Sequence, residues 1–204
     1  MLRIHHVPAT RGFRVIWLCE ELDVPYEIVP VDFSRTYRAS AEWRAMNPVG
    51  KVPVMTAGDL TMFESGAMVQ HVLDRHGGGR LEPERGTREH ALYLQWSWFA
   101  EATFTRPLGE IVNHRREFGD RAIPEVVEEM EARARLCLDA VDEAVRGTDY
   151  LVDDFTAADI MMGYALRSYR RLLPDDPLPA DADAYWNRLA GRDAYRAAIA
   201  AESP

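Results

Sequence analysis

The chain has 204 residues, 47% of them hydrophobic, and its 33 acidic side chains outnumber 24 basic ones for a net charge of −9. That length suits one large domain or two modest ones. The acidic balance argues against a nucleic-acid or anionic-membrane partner, and the apolar runs fall short of the ~20 residues of a membrane helix.

Residues 2–6 read as a strand and 7–10 as the loop after it. Residues 11–22 read as a helix, with Val15, Leu18, Cys19 and Leu22 on its buried stripe and Arg14, Glu20 and Glu21 toward solvent. A second strand alternates over 26–32, a polar loop covers 34–40 and a short helix 41–46. Residues 52–56 form a third strand, turned at 57–59 into an antiparallel partner at 60–63. Glu64-Ser65-Gly66 then opens a helix with Ala67, Val69, Val72 and Leu73 inward.

Gly77-Gly78-Gly79 breaks this pattern, and everything after a charged linker reads as helix. The first helical region is 87–116, with Pro107 and Gly109 as points of interruption. The second is 124–146, with Pro124 in its first turn and Val127, Met130, Ala134, Cys137 or Leu138, Val141 and Val145 inward. Thr156 and Asp159 make a capping box at the start of a third, and short helices follow at 182–189 and 192–201.

Chemistry gathers in three stretches. Pro53 stands near a strand start, where it has no N–H for a ladder, and a cis Val52–Pro53 bond would turn the N–H and C=O of Val52 outward toward an extended peptide. Glu64-Ser65 combines a hydroxyl with the N–H groups of a helix start, a site for a carboxylate or phosphate. In the loop before the first helix, Thr10 is the natural donor to a thiolate, which is the reactive form of a thiol. Arg11, Arg38 and Lys51 supply positive charge, or are simply solvated.

Cys19 and Cys137 lie on apolar stripes and read as small inert core residues, which fits a cytoplasmic location. His5 and His6 alternate on a strand, and His71, His76, His90 and His114 lack ligand spacing, so no metal is expected. Trp98, Phe99 and Phe104 are read either as the lining of an apolar pocket or as core.

Residues 47–70 resemble the glutathione-binding half of the glutathione transferase family. The family pattern Asn-Pro-x-Gly-x-Val-Pro, hairpin, Glu-Ser-x-Ala-Ile stands here as Asn47-Pro48-Val49-Gly50-Lys51-Val52-Pro53 and Glu64-Ser65-Gly66-Ala67-Met68. Residues 5–14 resemble the His-His-x-x-x-Ser-Arg-Ser-x-Arg loop of bacterial members, with Thr10 in the place of the first serine and Gly12 in that of the second. Thr156 to Asp159 resemble the buried capping motif of the family's C-terminal domain.

The resemblance implies an α/β thioredoxin-like domain over residues 1–77, a linker over 78–86 and an all-α domain over 87–204. It implies a homodimer in which residues 62–75, with Met62, Phe63, Met68 and Arg75, meet the long helices of a second copy. It also implies an enzyme with glutathione as co-substrate, adding its thiolate to an apolar electrophile. Thr10 and Arg11 would sit at the thiol, with Arg38, Lys51, Val52, Pro53, Glu64 and Ser65 around the peptide.

Alternatives stay open at this point. Thr10 is either the thiolate donor or a cap of the first helix. The chain is either a transferase or a non-enzymatic binding module, and isomerases, dehalogenases and peroxidases share the fold. A cysteine at position 10 would have indicated thiol–disulfide exchange, and Thr10 argues against it.

Overall fold

Alternation along Leu2–His6 (β1) buries Leu2, Ile4 and His6 on one side. In this computed structural model, which describes residues 1–202, β1 lies at the centre of a four-stranded sheet. It pairs in parallel with Tyr26–Pro30 (β2), reached through the helix Phe13–Leu22 (α1). On its other side it pairs antiparallel with Val54–Ala57 (β3), which continues antiparallel into Leu60–Phe63 (β4). The sheet order is therefore β2-β1-β3-β4. Gly58, at φ 64°, makes the β3–β4 turn that side chains with a Cβ resist.

Between β2 and β3 run two short helices, Arg35–Arg38 (α2) and Ala41–Met46 (α3), capped by the side chains of Ser34 and Ser40. The first of these replaces the polar loop expected at 34–40. Four residues carry too little periodicity to be seen in the sequence. After β4 comes Ser65–Val72 (α4), which runs on as a π-helical stretch, Leu73–Gly77, and stops at Gly78 in the left-handed region. Val69, Val72 and Leu73 face inward as expected, whereas Ala67 is exposed and Met68 takes the buried place beside it.

A second compact unit, Pro83–Ala190, is all helix. It contains Arg88–Trp98 (α5), Thr105–Phe118 (α6), Pro124–Ala144 (α7), Ala157–Leu172 (α8) and Ala180–Ala190 (α9). The expected interruption of the 87–116 region is a π-helical stretch at Phe99–Phe104, just before Pro107. Proline has no N–H to offer the Thr103 carbonyl in α register, and Cys137 Sγ lies 3.8 Å from that oxygen. Phe104 is core against Tyr169, whereas Trp98 is 63% exposed. In α7 the buried stripe begins only at Ala134, and Val127 and Met130 are half-buried. The capping box at Thr156 and Asp159 is formed as expected.

The last helix, Asp193–Glu202 (α10), does not join that unit. The other compact unit is Met1–Glu82 together with the described residues of Gly191–Pro204. The expected 87–204 helical domain thus gives up its C-terminal helix, and its last two residues lie outside those described. The reason is visible on α1. Phe13 and Trp17 meet the Tyr195 ring edge-on at 5.4 and 4.9 Å, and Arg192 forks onto Glu21 at 2.6 and 2.7 Å. With the sheet on one side and α10 on another, α1 is covered almost all round, and none of its 10 residues is exposed. Arg14 and Glu21, expected in solvent, are inside: Arg14 is fully buried and Glu21 is held by Arg192. Glu20 accepts from the Tyr26 hydroxyl.

Candidate glutathione site

The loop after β1 has unusual backbone for its sequence. Ala9 takes φ 62°, a conformation that side-chain-bearing residues avoid, and its N–H donates to Glu202 Oε2 at 3.1 Å. The same carboxylate oxygen lies 3.0 Å from His6 Nε2. Both side chains of that pair are almost wholly buried.

Thr10 follows immediately. Its hydroxyl donates to the Val7 carbonyl at 2.7 Å, and its Oγ1 is 3.2 Å from His6 Nδ1. The cap position of α1 belongs to Gly12, with no side-chain cap bond. The helix-cap alternative for Thr10 is therefore not what the geometry shows.

Gly12 is small for a reason. A Cβ there would stand 2.4 Å from His6 Nδ1 and 3.2 Å from the Pro53 Cβ. With His6 placed as it is here, a serine at position 12 has no room until the ring shifts. The same contact brings the Thr10 loop against Pro53.

The Val52–Pro53 peptide is cis. Val52 lies outside β3, and among the described residues no hydrogen bond engages its N–H or C=O. The preceding turn is braced by Asn47, whose amide donates to the Lys51 carbonyl at 2.9 Å and accepts from Val49 N–H at 3.2 Å. Gly50, at φ 64°, packs on the Arg38 carbonyl.

At the start of α4 the cap position is Glu64, held at φ 75° with no side-chain cap bond. A non-glycine residue there costs on the order of 1–3 kcal/mol and persists only where its surroundings impose it. Ser65 is therefore the first helical residue rather than the cap. It is 3% exposed, and its Oγ accepts from Arg14 Nη1 at 3.2 Å. Sequence reasoning missed Arg14 as a site residue, because its helical phase marks it as surface. The signal that was available is its place in the bacterial loop pattern, at the position of the last arginine.

The start of α1, just after Thr10, thus meets both stretches: Gly12 lies against Pro53, and Arg14 reaches Ser65. Arg38 and Lys51 are bonded to Phe33 and Asn47. Arg38 is exposed, with Nε on the Phe33 carbonyl at 3.0 Å and its guanidinium over the Phe33 ring at 4.4 Å, and Lys51 is exposed. Arg11 is half-buried. Cys19 is fully buried in α1, and burial pushes its thiol up to about 12, so it brings no nucleophile. Among the described residues no group of three or more His, Cys, Asp or Glu side chains is arranged to hold a metal, and no helix is long and apolar enough to cross a membrane.

A parallel–antiparallel sheet of this order with helices against it, a cis-proline beside the β1–α1 loop and an uncapped helix start belong to the thioredoxin-like class, here accompanied by an all-helical unit. The family model for the glutathione S-transferase N-terminal domain matches residues 4–74. Glutathione S-transferase 4 of Zea mays is 32% identical over 195 residues, 89% of this chain and 83% of that protein. Glutathione S-transferase 3 of Schizosaccharomyces pombe is 28% identical over 183 residues, 84% of this chain and 75% of that protein. The solved glutathione transferase URE2P8 of Phanerochaete chrysosporium, determined with oxidized glutathione, superposes with a TM-score of 0.88 at 24% identity over 98% of this chain and 94% of that one.

The chain belongs to the glutathione S-transferase family. The two curated relatives are plant and fungal proteins, so the bacterial affiliation suggested by the 5–14 loop is a finer statement that they do not carry.

Proposed function

We propose that the chain is a working glutathione S-transferase that holds glutathione extended across one end of its thioredoxin-like unit. In this reading the N–H and C=O of Val52, set off by Pro53, pair with the middle of the peptide. The start of α4 at Glu64 and Ser65 takes the γ-glutamyl carboxylate, with Arg14 adding charge behind it. Arg11, Arg38 and Lys51 flank the peptide's charged ends. The Thr10 hydroxyl donates to the thiolate, which attacks an apolar electrophile. Rate comes from thiolate stabilisation and proximity, with no covalent enzyme intermediate.

The observation that carries the reading is that the start of α1, just after Thr10, meets both Pro53, through Gly12, and Ser65, through Arg14. Its test is turnover: purified protein, glutathione and an activated aryl halide should give thioether at a rate that saturates with glutathione. A rate equal to the enzyme-free reaction contradicts it.

One observation favours a second reading, a glutathione-binding module without turnover. The Thr10 proton is directed at the Val7 carbonyl, and it has to swing away to reach a thiolate. Binding of glutathione without thioether formation is the outcome that selects this reading.

We further assign the protein to the cytoplasm as a homodimer. Both cysteines are free, which suits a reducing compartment. Phe63, 40% exposed on β4, and Leu94 and Trp98, 38% and 63% exposed four residues apart on α5, are apolar groups that a second copy would cover. Met68 is fully buried and takes no part in that surface.

A further inference from the structure

Behind Thr10 lies a buried chain of polar groups that the transferase reading does not use. Glu202 Oε2 receives the Ala9 N–H and faces His6 Nε2, and His6 Nδ1 faces Thr10 Oγ1. Glu202 is 196 residues from His6 in sequence, so α10 is what completes the chain. A carboxylate is an acceptor only, so an ionised Glu202 requires a proton on Nε2 of the ring. A neutral His6 in that tautomer presents the bare Nδ1 to the Thr10 hydroxyl, whose one proton leaves the Val7 carbonyl to reach it. Gly12 leaves the ring its place, since any Cβ there would collide with Nδ1.

We propose that Glu202, His6 and Thr10 form a proton relay that takes the thiol proton of bound glutathione; the proposal rests on the reading of Thr10 as the group facing that thiol. The glutathione S–H bond breaks and its proton passes to Thr10 Oγ1, while the original Thr10 proton passes to His6 Nδ1. The products are a thiolate that accepts from the Thr10 hydroxyl, and an imidazolium held by the Glu202 carboxylate. Every donor in that state has an acceptor: Nε2–H has Glu202, Nδ1–H has Thr10 Oγ1, and the hydroxyl has the sulfur. Glu202 and His6 act through Thr10 and are positioning residues. The left-handed Ala9 holds Thr10 beside the ring, and the Glu202 contact to its N–H fixes that bend.

The sign of one effect separates this relay from a passive brace. Glu202→Gln keeps an acceptor for the Ala9 N–H but removes a negative charge. Through space alone, removing that charge favours the thiolate and lowers its midpoint. Through the relay, it disfavours the imidazolium and raises the midpoint. The readout is ultraviolet thiolate absorbance of bound glutathione against pH, in the wild type, Thr10→Ala, Glu202→Gln and the double variant. Thr10→Ala and Glu202→Gln should each raise the midpoint by about one pH unit. The double variant should rise no further than Thr10→Ala alone. His6→Gln, which cannot become a cation, should shift in the same direction and serves in place of Glu202→Gln if that variant melts early. A rise with Thr10→Ala but an unchanged or lowered midpoint with Glu202→Gln, or with His6→Gln where that serves, overturns the relay and leaves the Thr10 reading standing. An unchanged midpoint with Thr10→Ala overturns the Thr10 reading and the relay with it.

Discussion

Arg14 shows how a single side chain defines the site. A fully buried guanidinium is tolerable only with acceptors around it, and Ser65 Oγ supplies one from a different element. Thr10, Val52, Glu64 and Ser65 could be singled out as candidates from the sequence because each sits in a short motif whose chemistry is local. Arg14 and Glu202 could not, because their contacts with Ser65 and His6 depend on which helix packs against α1. Gly12 read as a loss of a serine, and in the structure it leaves room for the His6 ring in the position that ring takes here. Gly12→Ser should therefore destabilise the protein by about 1–3 kcal/mol through overpacking against a bonded, buried ring. Chemical denaturation checks it, and an unchanged midpoint would mean that His6 yields easily. Cys19 and Cys137 are both held protonated by burial, Cys19 up to about 12. A disulfide reagent at pH 8 should leave the folded protein unlabelled and react with both thiols once it is unfolded.

At the scale of elements, the period-2 and period-3.6 patterns were enough to find all four strands and most of the helices. Errors came where periodicity is weak or geometry departs from α. The four residues of α2 are too few to show a period. The π-helical stretch at Phe99–Phe104 lies upstream of the proline that provokes it, because the lost bond belongs to a carbonyl four residues earlier. The strongest local signal, Thr156 with Asp159, was fully legible. Asp159 accepts from the Thr156 N–H at 2.8 Å, the Leu151 N–H at 3.1 Å and the Tyr185 hydroxyl at 2.7 Å, so the box also ties α8 to α9 and to the chain before it. Thr156→Ala should cost about 1–2 kcal/mol through the lost cap. Asp159→Ala should cost more, about 3–5 kcal/mol, because it strands several buried donors at once. Thermal melts with activity per folded molecule decide both, and a normal melting temperature with lost activity would move this motif from architecture into chemistry.

At the scale of the whole molecule, the sequence marked the change from mixed α/β to helix at the glycine run, but not the return of α10 to the first unit. Nothing local in residues 193–202 says which surface they will cover; the pairing of Tyr195 with Phe13 and Trp17 decides it. Each chain has a mass of 23.2 kDa, and sedimentation at micromolar concentration should give twice that. Phe63→Arg should shift the boundary toward the single chain by placing a charge in the apolar contact. A wild type that sediments as a monomer contradicts the assignment.

A working transferase of this kind must hold glutathione at Val52 and the start of α4. Calorimetry with glutathione on the wild type and on Ser65→Ala addresses that directly, provided both proteins melt cooperatively. Loss of the hydroxyl removes a charge-assisted hydrogen bond to the γ-glutamyl carboxylate and should weaken binding by roughly 1.5–3 kcal/mol, about ten- to a hundredfold in Kd. Equal affinity in a folded Ser65→Ala variant, or no binding heat in the wild type at millimolar glutathione, would contradict the placement.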